Sequence, residues 1–357
     1  MHSLFQGLRV LDLSTVLAGP SVGSFFAEMG ATVIKIENPR TQGDVTRSWK
    51  LNNESVDTPV SAYFAAVNYK KTFRWVDISK SENRPELEEL VTNSDIVLVN
   101  FKEGDDIKLK ITAQHVHALQ PRAIYASLKG FHSDPDRIAY DVVLQAECGF
   151  MFMNGTSESG PLKMPVALID VIAAHQLKEG ILCALLNRTT TGQGSTVRVT
   201  LEESALSALV NQASNYLMAG QVSQAAGSLH PNIAPYGETF LCSDGKSLVL
   251  AIGSEVQFKA FIAQLELPEV AGDERFSSNQ QRVIHRDALA HILKRKFEEN
   301  TRDYWMSILT ERGIPAGAIR SMDEVMSSRA ALSMLREEEI SGVPTKRISG
   351  IAFTLES

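Results

Sequence analysis

A single carboxylate, Asp170, interrupts the apolar run Val166-Ala167-Leu168-Ile169-Asp170-Val171-Ile172-Ala173-Ala174-His175. An aspartate ahead of a long helix-forming stretch is either a helix cap or a nucleophile held away from water. The local residues alone favour the cap. In the second role the carboxylate would form a covalent intermediate with its substrate. Free N–H groups and the macrodipole at a helix start favour the charged form, so this position predicts an ionised Asp170. The same groups would stabilise negative charge developing on a substrate oxygen. The apolar flank 166–169 predicts exclusion of water, which hydrolyses such intermediates.

Two further patterns lie near the N-terminus. Gly19-Pro20-Ser21-Val22-Gly23 has the G-x-S-x-G spacing of a hydrolase nucleophile elbow between a strand and a helix. Such an elbow needs an oxyanion donor from an earlier strand–helix loop, and only one strand precedes this one. Glu37 stands eighteen residues after Gly19, where an acidic residue holds a ribose in dinucleotide folds. Yet G-x-G-x-x-G is absent, and Pro20 occupies the stretch that would approach a pyrophosphate. The plainer readings are tight strand-to-helix packing, or a helix N-terminus beside some other nucleotide-bearing ligand.

The elements that must position these residues alternate. Strands are expected over 8–13, 32–37, 73–77, 96–100 and 123–127, with helices at 21–29 and 86–92 between them. That order implies a Rossmann-like parallel sheet with helices on both faces, and ligands beyond the carboxyl ends of its strands. A helix is expected over 170–188, a strand over 195–200 and a second long helix over 201–218. The stretch 219–235 is rich in Gly, Ser, Ala and Pro and reads as a crossing linker. Strands at 239–243 and 247–252 and helices to about 310 form a smaller α+β domain, and 313–357 returns to the first. The expected division is a large domain over 1–218, the linker 219–235, the small domain 236–312 and the return segment 313–357.

The chain has 357 residues, 44% hydrophobic and 22% charged, with a formal charge of -7. This composition is that of a globular protein large enough for two domains, and its sign argues against a nucleic-acid partner. Cys148, Cys183 and Cys242 match no metal spacing and read as buried, reduced thiols in a cytoplasmic protein. Asp12 cuts the first apolar stretch, so no signal peptide is expected, and no apolar run is long enough to span a membrane.

Several segments together carry a family resemblance. They are Gly7-Leu8-Arg9-Val10-Leu11-Asp12-Leu13, Ala18-Gly19-Pro20, Gly30-Ala31-Thr32-Val33-Ile34-Lys35-Ile36-Glu37, Gly43-Asp44-Val45-Thr46-Arg47 and Asn68-Tyr69-Lys70-Lys71. Asp95 to Phe101, Ala126 to Phe131, Tyr140-Asp141 with Gln145, Asp170, Thr189 to Gly194 and Gly313 to Gly317 follow in order. This ordered set resembles the family III CoA-transferases, among them the formyl-CoA and carnitine CoA-transferases. The resemblance implies that Asp170 is the catalytic aspartate and that Tyr140 lies near the thioester. It implies that Val16, Leu17, Ala18, Asn100, Phe101, Lys108 and Arg137 line the CoA groove.

Because CoA carries phosphates, Lys70, Lys71, Lys102 and Lys129 join Lys108 and Arg137 as candidate cations along that groove. CoA and acyl-CoA are then substrates, with a carboxylic acid acceptor and no tightly bound cofactor or metal. The resemblance also implies an interlocked homodimer. Two departures stand out. Asn232-Ile233-Ala234-Pro235-Tyr236-Gly237 has one glycine where some members carry a glycine-rich lid. The chain also stops at Ser357, where relatives usually continue for several tens of residues, a departure that bears on the C-terminal part of the dimer wrap. The α-methylacyl-CoA racemases of the same family have a histidine where this chain has Tyr140. A phenol of ordinary pKa is a poor base at neutral pH, so transferase is favoured over racemase, with His132 and His175 the nearby histidines. A noncatalytic acyl-CoA-binding protein is the other alternative.

Overall fold

The structure, a computed structural model, describes residues 4–134 and 136–356. The chain divides into two compact units. One comprises Met1–Met151, Lys163–Ser223 and Arg329–Ser357, the other Phe152–Leu162 and Gln224–Ser328. The second unit therefore includes a short segment that the sequence reading placed in the large domain, and the return comes at Arg329.

The first unit is built on six parallel strands: β1 (Arg9–Asp12), β2 (Thr32–Glu37), β3 (Lys71–Trp75), β4 (Ile96–Val99), β5 (Ile124–Lys129) and β6 (Thr196–Thr200). Their spatial order is β3-β2-β1-β4-β5-β6. The central strands are apolar on both faces, as a sheet covered on both sides requires. Val10, Ile96, Leu98, Ile124 and Ala126 point to one core, and Leu11, Val97, Val99 and Tyr125 to the other. The first core is closed by α1 (Ala18–Glu28), α2 (Asp141–Glu147), α3 (Leu168–Thr191) and α4 (Leu201–Ser207). Ile169, Ala173, Leu177, Ile181 and Ala184 form the buried stripe of α3, at helical spacing. Gly180 lets α3 press onto β6, since a Cβ there would meet Val197 Cγ1 at 2.5 Å.

The long helix expected over 201–218 is two helices, α4 and Val210–Ala219. Val210 at φ 41° breaks them apart. Leu201, Ser204 and Ala205 bury against the core, whereas Val210–Ala219 buries no residue. Tertiary packing ends with α4, and propensity alone does not carry the helix on. The returning segment forms an antiparallel hairpin, Leu335–Ile340 with Val343–Ile348, whose Ile340 joins Val60, Phe64 and Ala65 in a small core.

In the second unit Tyr236–Leu241, Ser247–Ala251 and Ala316–Ala318 form an antiparallel sheet with Ser247–Ala251 at its centre. Phe258, Phe261, Phe297, Trp305 and Leu309 cover it. Trp305 donates its indole N–H to the Phe297 carbonyl at 2.9 Å, which satisfies the one polar atom of a buried ring.

Candidate active site

The strand order reverses between β1 and β4, which opens a crevice at the carboxyl ends of these two strands. The loops leaving them are tied together there. Thr15 donates its N–H to Asn100 Oδ1 at 2.9 Å, and Asn100 Nδ2 returns a hydrogen bond to the Thr15 carbonyl at 2.8 Å. Asn100 thus holds the start of the cavity wall.

The cavity occupies about 230 Å³. Of the residues singled out in the sequence, Val16, Leu17, Ala18, Asn100, Phe101, Lys102, Lys129, Arg137, Tyr140 and Asp170 line it, all from the first unit. Lys108 does not. Its ammonium is 76% exposed and pairs with Asp105 at 2.8 Å, three residues away on its own helical turn. Gly130 makes room for the far wall, because a Cβ there would meet the Ala139 Cβ at 2.3 Å. Lys129 pairs with Glu103 at 3.1 Å, and the Arg137 guanidinium lies 4.5 Å from the Phe131 ring centre. Tyr140 is half exposed and ends the loop before α2.

Asp170 occupies the first turn of α3, two residues after its start, and its carboxylate is not the helix cap. Asp141 takes that task from the first turn of α2. Its Oδ2 accepts the Ile169 N–H at 2.7 Å and the Asp170 N–H at 3.3 Å. Gln145, fully buried, donates to Asp141 Oδ1 at 2.5 Å and accepts the Met164 N–H at 2.8 Å, so it fixes both Asp141 and the approach to α3. The sequence expectation of an Asp170 held ionised by free N–H groups is corrected here. Those groups are spent on Asp141, and burial, with the Asp141 charge behind it, pushes the Asp170 carboxyl up to about 7. Among the described residues no hydrogen-bond donor reaches that carboxylate. The apolar flank is also drier at one end only: Ile169 is fully buried, while Val166 is 59% exposed.

Other sequence candidates have structural duties. The Ser21 hydroxyl donates to the Leu17 carbonyl at 2.7 Å, one turn back in its own helix, which is not the geometry of an activated nucleophile. Glu37 is buried and pairs with Arg47 at 2.6 Å, so it is not free for a ribose. Lys71 is buried as well. Its ammonium binds Asp12 at 2.8 Å, the Pro20 carbonyl at 2.8 Å and Asn68 at 3.0 Å. Burial lowers Lys71 to about 8 against the opposing pull of Asp12. Lys70 is exposed and takes no part in the lining. His132 is exposed beside Glu203, and His175 lies on α3 outside the cavity lining, so neither supplies a base there. All three cysteines are free; Cys148 and Cys242 are buried, but Cys183 is exposed, contrary to expectation. The aligned Asn232 to Gly237 stretch belongs to the second unit and runs into its first strand.

Three residues at the site were given no role by the sequence: Tyr63, Asp141 and Gln145. Tyr63, half-buried on the short helix Ala62–Ala66, packs edge-on against Trp49 at 5.1 Å. Burial, together with the charges of Asp170, Asp141 and Asp44, pushes its hydroxyl up to about 12, so it stays protonated within range of the site's carboxylates. No spacing signal marks it. Asp141 and Gln145 had been noted only as part of an ordered resemblance; their i, i+4 spacing on a short helix was the available clue.

A parallel sheet in this order, with its cavity at the switch point and cations along the wall, places the protein among α/β folds that take extended nucleotide-bearing ligands. A profile described as CoA-transferase family III matches residues 5–344, and the chain belongs to this family of CoA-transferases. It is 34% identical over 329 residues to the succinate–glutarate CoA-transferase of Agrobacterium fabrum, covering 90% of this chain and 81% of that one. It is 32% identical over 333 residues to the mouse succinyl-CoA:glutarate CoA-transferase, covering 92% and 74% respectively. Its fold matches the crystal structure of a CAIB/BAIF family protein from Brucella suis with a TM-score of 0.87 at 33% identity, over 99% of this chain and 93% of that one.

Proposed function

We propose that the protein moves CoA from an acyl-CoA to a carboxylic acid through covalent intermediates on Asp170. The observation that carries this reading is a carboxylate at the cavity wall, raised to about 7, with no donor committed to it among the described residues. A carboxylate that is neither capped nor paired keeps its lone pairs for an acyl carbon.

In the first step an Asp170 oxygen attacks the thioester carbon, the C–S bond breaks, and CoA leaves as the thiolate. The thiolate then attacks the Asp170 carbonyl carbon of the resulting anhydride. The C–O bond breaks, the donor acid departs as carboxylate, and an aspartyl-CoA thioester remains. The acceptor carboxylate attacks that thioester and expels the thiolate. The thiolate next attacks the acceptor's acyl carbon, forming the new acyl-CoA and restoring Asp170. On this reading Lys102, Lys129 and Arg137 would meet the anionic part of CoA, and Tyr140 would contact the reacting group; Lys129 and Arg137 are paired with Glu103 and Glu147 in the structure. The uncapped N-terminus of α1 adds free N–H groups to the same wall.

The relatives' names favour short dicarboxylic acids such as succinate and glutarate as the exchanged partners. Incubating the protein with succinyl-CoA and a panel of carboxylates, and resolving the CoA esters by chromatography, tests both the activity and the acid class. Formation of glutaryl-CoA is expected, and hydrolysis alone would refute transfer.

A homodimer is the assembly this reading carries forward. Tyr216, Leu217, Met218 and Val222 are exposed apolar residues on one short stretch, which a partner subunit would cover. A cytoplasmic setting, with its reduced thiols, goes with three free cysteines. No helix among the described residues is long and apolar enough to cross a membrane.

A further inference from the structure

The cavity wall at residues 14–17 has an unusual backbone. Val16 stands at φ 73°, in the left-handed region where a β-branched residue is a genuine outlier. Three consecutive N–H groups are drawn away by side chains. Ser14 N–H goes to Asp12 at 3.0 Å, Thr15 N–H to Asn100 at 2.9 Å, and Val16 N–H to both oxygens of Asp44 at 3.3 and 3.2 Å. Asp44 lies in the Gly43-Asp44-Val45-Thr46-Arg47 segment, to which the transfer chemistry gives no part.

Asp44 is itself fixed from beneath. Its side chain is 1% exposed and pairs with Lys35 at 3.2 Å, and Lys35 also donates to the Ser14 carbonyl at 2.6 Å. Thr46 donates to Asp44 Oδ1 twice, from its N–H at 3.1 Å and its hydroxyl at 2.8 Å. A second cavity of about 200 Å³ lies on the Asp44 side and shares Thr15 and Phe101 with the first. The loop is therefore a partition, and the side chains that shape it are Asp12, Asn100 and Asp44, outside the loop itself.

We propose that Asp44, seated on Lys35, is a positioning residue that holds Val16 in its left-handed conformation and so sets the cavity wall against which acyl-CoA lies. The Val16 N–H is taken out of the cavity, and the chain re-enters it at Leu17 and Ala18, at the start of α1. Without Asp44 the β-branched residue relaxes to negative φ and carries these two lining residues with it. This inference rests on the proposal that the cavity receives acyl-CoA.

Glycine at position 16 separates conformation from general stability, because it adopts positive φ without a steric cost. The experiment compares Asp44→Asn, Val16→Gly and the double variant. Each is assayed for kcat/KM with succinyl-CoA, for CoA affinity by calorimetry, and for Tm. Asp44→Asn is expected to lower kcat/KM by about a hundredfold and to lower Tm. The added Val16→Gly is expected to recover about tenfold of kcat/KM while Tm stays down, since glycine does nothing for the unpaired Lys35. Strictly additive losses, or recovery of Tm and activity together, would overturn the proposal, as would an unaffected Asp44→Asn. Should Asp44→Asn fail to fold, the neutral pair Lys35→Met with Asp44→Asn replaces it as the background for the glycine comparison. Failure of the wild-type protein to bind CoA would instead strike the functional reading beneath it.

Discussion

Asp12 and Asp170 are two carboxylates of the first unit with opposite surroundings. Burial would raise Asp12, but Lys71, Lys35 and hydrogen bonds from Lys71 and Ser14 outweigh it and bring the carboxyl down to about 2. Asp170, half-buried, has no cation and no donor among the described residues and is raised to about 7 by burial and by Asp141. One carboxylate is matched on every side and belongs to the architecture. The other is left unmatched in a cavity, which is where perturbed groups mark chemistry. Asp141 sharpens the contrast, because it takes the helix N–H groups that would have quieted Asp170.

The comparison breaks first at Asp170 itself. Asp170→Ala should reduce transfer by about a thousandfold or more while CoA affinity changes by less than about threefold, because the cations proposed to hold CoA are untouched. Steady-state rates with calorimetric CoA titration check this. At the other carboxylate the expected effect is on stability. Lys71→Met leaves Asp12 buried without its main partner and should cost about 3–5 kcal/mol in urea unfolding. By contrast, Asp170→Asn should raise Tm at pH 8. The folded-state pKa of Asp170 lies above its unfolded value, so the carboxyl opposes folding increasingly as pH rises from 3.8 and fully above about 7. That penalty fades as pH falls and the carboxyl protonates, so the Tm gain should shrink toward pH 5.

Asp141→Asn tests the link between the two environments. The kcat should fall about tenfold to a hundredfold as the α3 cap weakens. On the proposed mechanism only ionised Asp170 attacks, so wild-type activity should decline as pH drops through about 7. Removing the Asp141 charge should move this acid limb to lower pH, a shift that a merely loosened helix would not produce. The smallest effect is expected at Lys108, which is exposed and pairs within its own turn: Lys108→Ala should leave KM for acyl-CoA within about twofold.

The strands were legible because apolar runs such as Ile96 to Val99 have no other soluble fate than a covered parallel sheet. The switch-point site followed from that order. What the sequence hid were the long-range polar pairings. Lys71 and Glu37 have the chemistry of ligand-binding residues, yet Asp12, 59 positions away, claims the first and Arg47, 10 positions on, claims the second. Asp170 was visible as a carboxylate in an apolar setting. Its upward shift was not, because burial and the charge of Asp141, twenty-nine positions away, act on it only after folding. Tyr63 escaped for the same reason, having no local pattern and acquiring its neighbours only by folding.

The most direct test traps the covalent step. The protein is incubated with succinyl-CoA in the presence of hydroxylamine, digested, and the Asp170 peptide is weighed by mass spectrometry. A hydroxamate on Asp170, absent without the thioester and absent in Asp170→Asn, is the predicted result. CoA transfer at full rate with that peptide unmodified would contradict the assignment.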